Sequence, residues 1–386
     1  MKLRLLDHLV CPIDKAGLEL IEWETSSVAL SSNDLEGIIA LRFDPSVFSK
    51  EIVTGALVNR RKKILYPIEH GVPRLLVCPT VRTREFMKVH ASRLARELPG
   101  FELPSKTQPP GEEDVLRSFS NEWAKYDWNS EAYWNLSHED LCRSMRCLLD
   151  LDRRSLKQKL VLEIGIGIGG IADYVSRSEG CELVGVDLGY SVDAAQKNFG
   201  QNPLLHIVQA SVFALPFREN FFDFVYSQGV LMHTYSTKAA FECLTRLPKI
   251  GGRLYVWVYS PYDEQRSFKR RVLMKMEKLI RPVVWRLPER LQTAALLPIV
   301  PLYLIHQNLW VRRHGSAFVK YGWRESVHAA RDRFTPRYAH RHTEEEVCSW
   351  FEEADYTNLR SVGEREYPDF IPTSLIAASA MDGTRT

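Results

Sequence analysis

Residues 160–170 read LVLEIGIGIGG, an apolar run ending in glycines at alternate positions, Gly165, Gly167 and Gly169, with Gly170 next. A strand that must turn at once into a helix needs such residues. They accept φ > 0, and without a Cβ they leave backbone N–H groups open to a ligand. Gly165, Gly167 and Gly170 satisfy G-x-G-x-x-G, and Asp187 follows 22 residues after Gly165 at the end of the next apolar run. A carboxylate there grips ribose hydroxyls. The loop alone therefore admits a dinucleotide.

Glu163 stands two residues before the first glycine. A pyrophosphate does not want an extra carboxylate nearby, whereas a sulfonium cofactor with an amino-acid tail can use that charge, directly or through a water. Around the loop, apolar strands alternate with helices. LVLEI is followed by a helix, ELVGVD by the helix SVDAAQKNF, then come the strands LLHIVQA and FDFVYS, the helix TKAAFECLTRL, a Gly251-Gly252 break and the strand RLYVWVYS. This pattern predicts an α/β fold with a doubly wound parallel sheet and a ligand at the carboxyl ends of its strands. The helix TEEEVCSWFEEADY, N-capped by Thr343 with Glu346 three positions on, and two last strands, TNLRSVGERE and SLIAASA, complete the alternation.

Four segments carry a family resemblance: VLEIGIGIGG, GVDLGYSV with Asp187, VQASVFALPF…FDFVYSQGVLMHT, and LTRLPKIGGRLYVWVY. Over about residues 119–380 the chain resembles the class I S-adenosylmethionine-dependent methyltransferases. The resemblance implies a Rossmann-like sheet of seven strands, the last antiparallel, with S-adenosyl-L-methionine as cofactor. It places Gly165, Gly167 and Gly169 around the methionine part, Asp187 on the ribose, and Leu188 against the adenine. The family often has an Asp after strand three that accepts from the adenine amine. Here Ser211 stands in its place, so adenine contact falls to Ser211 and the Val212 backbone. Ser227 and Gln228 are further contacts to cofactor or acceptor.

The front of the chain, LLDHLVCPIDKAGLEL…GALVNRRKKILYPIEHGVPRLL, resembles the small zinc-ribbon domain found beside many methyltransferases. Only Cys11 of that pattern's four cysteines is present. Asp14, Asn59 and Lys62 occupy the other places. A lysine cation is a poor ligand for a tetrahedral zinc site, so no metal is expected. The expected organisation is a small α+β domain over 1–80, a linker over 81–118, the cofactor half of the core over 119–260, a helical lid insertion over 261–340 and the closing strands over 341–386.

In-line methyl transfer depends largely on positioning, and a base helps only a protonated acceptor. His233, in SQGVLMHT after strand four, is the candidate base, with packing as its plainer role. Tyr126, Tyr235, Arg337 and His340 are candidate acceptor contacts, Arg337 and His340 as a clamp on an anionic acceptor. The apolar content of the insertion points to a partly hydrophobic small molecule, such as a natural-product or saccharide–lipid intermediate, methylated on O or N. The basic runs RSFKRR, VRRH and RDRF raise RNA as a second partner, although no base-amine motif follows strand four, and DNA is not expected. A third reading is a cofactor-binding partner subunit without turnover. Residues 291–311 carry no Asp, Glu, Lys or Arg, but Pro298 and Pro301 break them, which favours a lid or a peripheral membrane contact over a span. Net charge is +3, and the seven cysteines form no C-x-x-C pair. These features, with no secretory signal in MKLRLLDHLVCP, lead to the expectation of a reduced, cytoplasmic protein of unassigned oligomeric state.

Overall fold

A computed structural model describes residues 1–123, 136–261, 268–314, 320–363, 367–368, 371, 373–376 and 378–386. The front half holds β1 (Glu19–Ser27), α1 (Ser32–Ala40), β2 (Lys50–Asn59), β3 (Ile64–Glu69) and β4 (Val72–Pro73), then α2 (Val81–Val89), α3 (Ala91–Glu97), α4 (Glu112–Trp123) and α5 (His138–Leu148). The core follows with β5 (Leu160–Ile164), α6 (Gly170–Glu179), β6 (Glu182–Asp187), α7 (Ser191–Phe199), β7 (Leu205–Gln209), β8 (Phe222–Gln228), α8 (Thr237–Glu242) and β9 (Pro248–Val258). Next are α9 (Phe268–Val284), α10 (Glu289–Leu296), α11 (Val300–His314), α12 (Trp323–Phe334), α13 (Glu344–Glu353), β10 (Tyr356–Ser361), α14 (Thr373–Ile376) and β11 (Ser379–Arg385).

Seven strands lie in the order β10-β11-β9-β8-β5-β6-β7, with β11 antiparallel to both neighbours and the other core pairs parallel. The doubly wound sheet is as expected, and a second sheet, β1-β2-β3-β4, forms the small front domain. Several local expectations shift. Gly251 and Gly252 do not interrupt the chain before β9. They lie inside it, where Gly251 takes φ +77° and the pairing with β8 slips between Phe222 and Phe224. The last strand begins at Ser379, because 373–376 turn into α14. Thr343 caps α13 by accepting from the Glu346 amide at 3.2 Å, but the Glu346 carboxylate turns to His342 Nδ1 at 2.9 Å. The span 81–118, read above as a linker, contains α2, α3 and most of α4. Its Pro- and Gly-rich part is short, and even there Phe101 and Leu103 pack on Leu94, Leu98 and Trp23.

The front domain and the sheet share one core. Leu5, Leu9, Tyr66, Ile68 and Leu75 pack in the same cluster as Leu162, Val184, Val208 and Leu254. Each such side chain contributes roughly 1.5–3 kcal/mol by leaving water. Just past β4 the chain runs onto the edge of β7, where the Leu75 amide donates to the Gln209 carbonyl at 2.8 Å. Polar groups fix this docking. Lys2 Nζ, 3% exposed, donates to the Gly200 and Leu205 carbonyls at 2.9 and 2.8 Å, and burial pushes its pKa down to about 8. Glu182 Oε1 accepts from His8 Nε2 at 2.8 Å and His206 Nε2 at 3.0 Å, and Arg4 grips the same carboxylate at 3.1 and 3.2 Å.

The four positions of the zinc-ribbon pattern hold a hydrogen-bonded knot. Asn59 Nδ2 donates to Asp14 Oδ1 at 3.0 Å, and Arg61 pairs with Asp14 Oδ2 at 2.9 Å. The Lys62 amide donates to Asn59 Oδ1 at 3.2 Å, and the Cys11 thiol meets the Tyr66 hydroxyl at 3.2 Å. The donor set does not fit a tetrahedral metal, since one place is a lysine.

Glu182 is the shared acceptor of this docking. Glu182→Gln should lower stability by about 3 kcal/mol in urea denaturation, since one partner of a buried charge network is lost. Because the core is shared, front domain and sheet should still unfold in one transition.

Candidate functional site

The glycine loop is held against the end of β6. The amides of Gly165 and Ile166 both donate to the Val186 carbonyl, at 2.7 and 3.0 Å. Gly165, Gly167 and Gly169 take φ of +87°, +53° and +90°. A Cβ on Gly165 would lie 2.1 Å from Val230 Cγ2. Gly185 in β6 serves the same turn, for a Cβ there would meet Ile166 Cδ1 at 2.1 Å. Asp187 ends β6 and orients the loop. Its Oδ2 accepts from the Gly167 amide at 3.0 Å and its Oδ1 from the Gly189 amide at 2.8 Å. Burial lifts its pKa above the ordinary carboxylate value, and those two amides oppose the rise. Leu188, next in line, is half-buried, with its carbonyl held by Gln209 Nε2 at 2.8 Å.

Glu163 lies in β5 beside Tyr226 of β8 and is 4% exposed. Its Oε2 has no hydrogen-bond partner. Burial pushes its carboxyl up to about 8; the Tyr226 hydroxyl opposes the shift and the Asp187 carboxylate adds to it. Glu163 is thus a mostly neutral acid at pH 7, not the standing charge expected from its place in the chain. Ser227, expected to touch the ligand, is wholly buried and donates its hydroxyl to the Ile164 carbonyl at 3.4 Å. It pins β8 to β5 within the sheet.

At the end of β7, Ser211 is 1% exposed and accepts from the Phe213 amide at 3.1 Å, capping the short 3-10 turn that contains Val212. The carboxyl of Glu112, from the first turn of α4, hydrogen-bonds Ser211 and Gln108. Glu112 is 8% exposed, and burial pushes it up to about 7 against those two hydrogen bonds. The sequence reading missed this residue, which sits in the span taken for a linker. The acidic triplet Glu112, Glu113 and Asp114 was the available signal, since helix N-termini favour carboxylates.

The rest of α4 lies over the strand ends. Ser120 Oγ accepts from the Tyr190 amide at 2.9 Å, Ser118 bonds Thr335 at 3.1 Å, and Phe119 meets the His233 ring edge-on at 5.1 Å between centroids. His233 is 6% exposed. Its Nδ1 donates to the Tyr338 carbonyl at 2.8 Å, the only donor–acceptor sense a carbonyl allows, so the neutral ring keeps its lone pair on Nε2. Burial pushes its pKa down to about 4. His340 donates from Nε2 to the Thr234 carbonyl at 3.1 Å and stacks on Tyr338. Arg337 pairs with Asp114 of α4 at 2.6 Å and lies over Trp285. Its charge is already met inside the protein, which removes it as a ready anion clamp. Tyr235 is 38% exposed against Phe213. Tyr126 lies outside the described residues.

Among the described residues, His8, Glu182 and His206 form a group of three donors close enough to share an ion. Both imidazoles spend Nε2 on Glu182, which Arg4 also grips, while His8 Nδ1 and His206 Nδ1 have no partner among the described residues, and the group lies in the domain interface away from the glycine loop.

Comparison with known proteins agrees with this geometry. Residues 162–256 match the methyltransferase domain family, and residues 2–71 match the Trm112p-like protein family. The sterol 24-C-methyltransferase of Saccharomyces cerevisiae is 28% identical over 125 residues, 31% of this chain and 33% of that protein. The sarcosine/dimethylglycine N-methyltransferase of Halorhodospira halochloris is 25% identical over 114 residues, 28% of this chain and 41% of that protein. The chain thus spans about a third of the length of the sterol methyltransferase it matches. Among solved structures, the magnesium protoporphyrin IX methyltransferase of Synechocystis aligns with TM-score 0.43 and 14% identity, covering 71% of this chain and 100% of that one. The complex between the Haloferax volcanii Trm112 methyltransferase activator and its putative methyltransferase partner aligns with TM-score 0.39 and 13% identity, over 72% of this chain and 99% of that one. The chain therefore joins a front region that matches the Trm112p-like family to a core that matches the methyltransferase domain family.

Proposed function

We propose that this protein methylates an oxygen or nitrogen of a partly hydrophobic small molecule, with S-adenosylmethionine as donor. The observation that carries the reading is the Asp187 carboxylate, held by two backbone amides at the mouth of a φ-positive glycine loop, with the unpartnered Glu163 Oε2 beneath it. A buried orphan acid beside a ribose-binding carboxylate suits a cofactor that carries an ammonium and a nucleoside. Once bound, that cofactor supplies an electrophilic methyl group on sulfur.

In this reading the roles of the chain's own residues follow the strand order β5-β6-β7. Glu163 receives the ammonium at β5, Asp187 the ribose hydroxyls at β6, and Glu112, through its place beside Ser211, the ring amine beyond β7. Val212 and Leu188 flank the base. His233, whose proton is committed to Tyr338, presents a lone pair of low basicity. This suits a hydrogen-bond acceptor that orients an O–H or N–H better than a strong base. Arg337 and His340 shape the wall of the acceptor site through α4 and the β8 loop.

Calorimetry tests the cofactor. S-adenosylhomocysteine should bind the wild type in the micromolar range, about −8 kcal/mol, and Asp187→Ala should abolish measurable binding. Tight binding of NADH in its place would overturn the reading. Glu112→Gln should weaken S-adenosylhomocysteine several-fold and leave the melting temperature of the free protein nearly unchanged at pH 6, where its carboxyl is mostly protonated.

Glu163 gives a pH signature. Its carboxyl titrates near 4.5 unfolded and about 8 folded, so the folded state binds more protons in that window. The stability it contributes is full below pH 4.5 and lost as pH rises through 8. The melting temperature should fall from pH 6 to pH 9 by more in the wild type than in Glu163→Gln.

A further inference from the structure

The insertion between β9 and α13 has a surface unlike the rest of the molecule. Residues 261–340 hold 16 Lys and Arg against 6 Asp and Glu, a net of +10 in a chain whose total is +3. Of the fifteen large apolar side chains exposed among the described residues, ten lie here. They are ordered. On α9, Val272, Met276, Leu279 and Val283 are 42%, 45%, 74% and 62% exposed. Their spacing of four, three and four puts them on one helix face. The opposite face, Met274, Glu277 and Val284, is buried. On α11, Leu302, Ile305 and Leu309 repeat the pattern at 62%, 56% and 47%, opposite buried Val300, Gln307 and Val311.

The inner faces are accounted for. Val284, Leu296, Val300, Ala330 and Phe334 make a closed core of the four helices. Glu277 is spent there on Arg281, on Arg333 at 2.7 Å and on Arg341 at 3.4 Å. Long basic side chains border the stripes: Arg271 and Lys275 flank that of α9, and Arg312 and Arg313 follow that of α11, all exposed. Two apolar stripes bordered by long basic side chains fit a surface that is apolar beneath and anionic above. Among the described residues no single helix is long and apolar enough to cross a membrane, and α10 and α11 meet at a 53° bend.

We propose that the outer faces of α9 and α11 dock on an anionic phospholipid surface, with the apolar stripes in the headgroup boundary and the basic flanks on lipid phosphates. The docking does not rest on the methyl-transfer reading. If both hold, the acceptor is an amphiphile drawn from the bilayer beside the lid.

Vesicle co-sedimentation of the full chain tests it. Partition to phosphatidylglycerol-containing phosphatidylcholine vesicles should exceed that to pure phosphatidylcholine about tenfold at low salt and fall at high salt. Leu279→Glu with Val283→Glu, and separately Arg271→Glu with Lys275→Glu, should each lower partition about tenfold while S-adenosylhomocysteine binding and melting temperature stay at wild-type values. Leu302→Glu with Ile305→Glu is the equivalent on α11 should the α9 pair fail to fold. Absence of wild-type partition to anionic vesicles overturns the proposal. So does partition that the variants leave intact, a dimer in sedimentation that Leu279→Glu with Val283→Glu splits, or salt-dependent tRNA binding by a chain that ignores the vesicles.

Discussion

The glycine loop depends on one carboxylate. Asp187 takes the Gly167 amide with one oxygen and the Gly189 amide with the other, tying the glycine loop to the strand beside it. The close fit of Gly165 against Val230, of Ile166 against Gly185 and the entry into α6 all assume that position. With both oxygens held by backbone amides, the carboxylate is fixed in orientation. Such preorganisation favours binding because little ordering remains to be done.

Helix α4 packs over the strand ends from outside the core sheet. Consecutive residues Ser118, Phe119 and Ser120 reach Thr335 at the end of α12, the His233 loop and the Tyr190 amide, while Asp114 neutralises Arg337 and Glu112 reaches Ser211. One short helix thus bridges the α9–α12 insertion, the turn after β7 and the turn after β6.

The front domain is built into the same body. In place of a metal knot, Asp14 gathers Asn59, Arg61 and the Ala16 amide, and in place of a separable contact it shares apolar side chains with the sheet. The buried Lys2 and the Arg4–His8–Glu182–His206 group fix the register of docking, since any slip would strand a buried charge.

Much of this was legible in the chain. Alternating apolar runs, the glycine spacing, Glu163, Asp187 and the loss of three metal ligands predicted the sheet, its cofactor loop and a front domain without a zinc-ligand set, because strand period, φ > 0 and ligand chemistry are properties of residues and their near neighbours. What depended on distant residues was decided by tertiary structure. Glu112 lies 99 positions before Ser211 and meets it only because α4 folds over the strand ends. Arg337 looked available until Asp114 met it. Ser227 looked like a ligand contact until β8 turned its hydroxyl into the sheet. The charge state of Glu163 was likewise set by burial, a quantity that only packing determines: the same carboxyl that titrates near 4.5 in water is held to about 8 between β5 and β8.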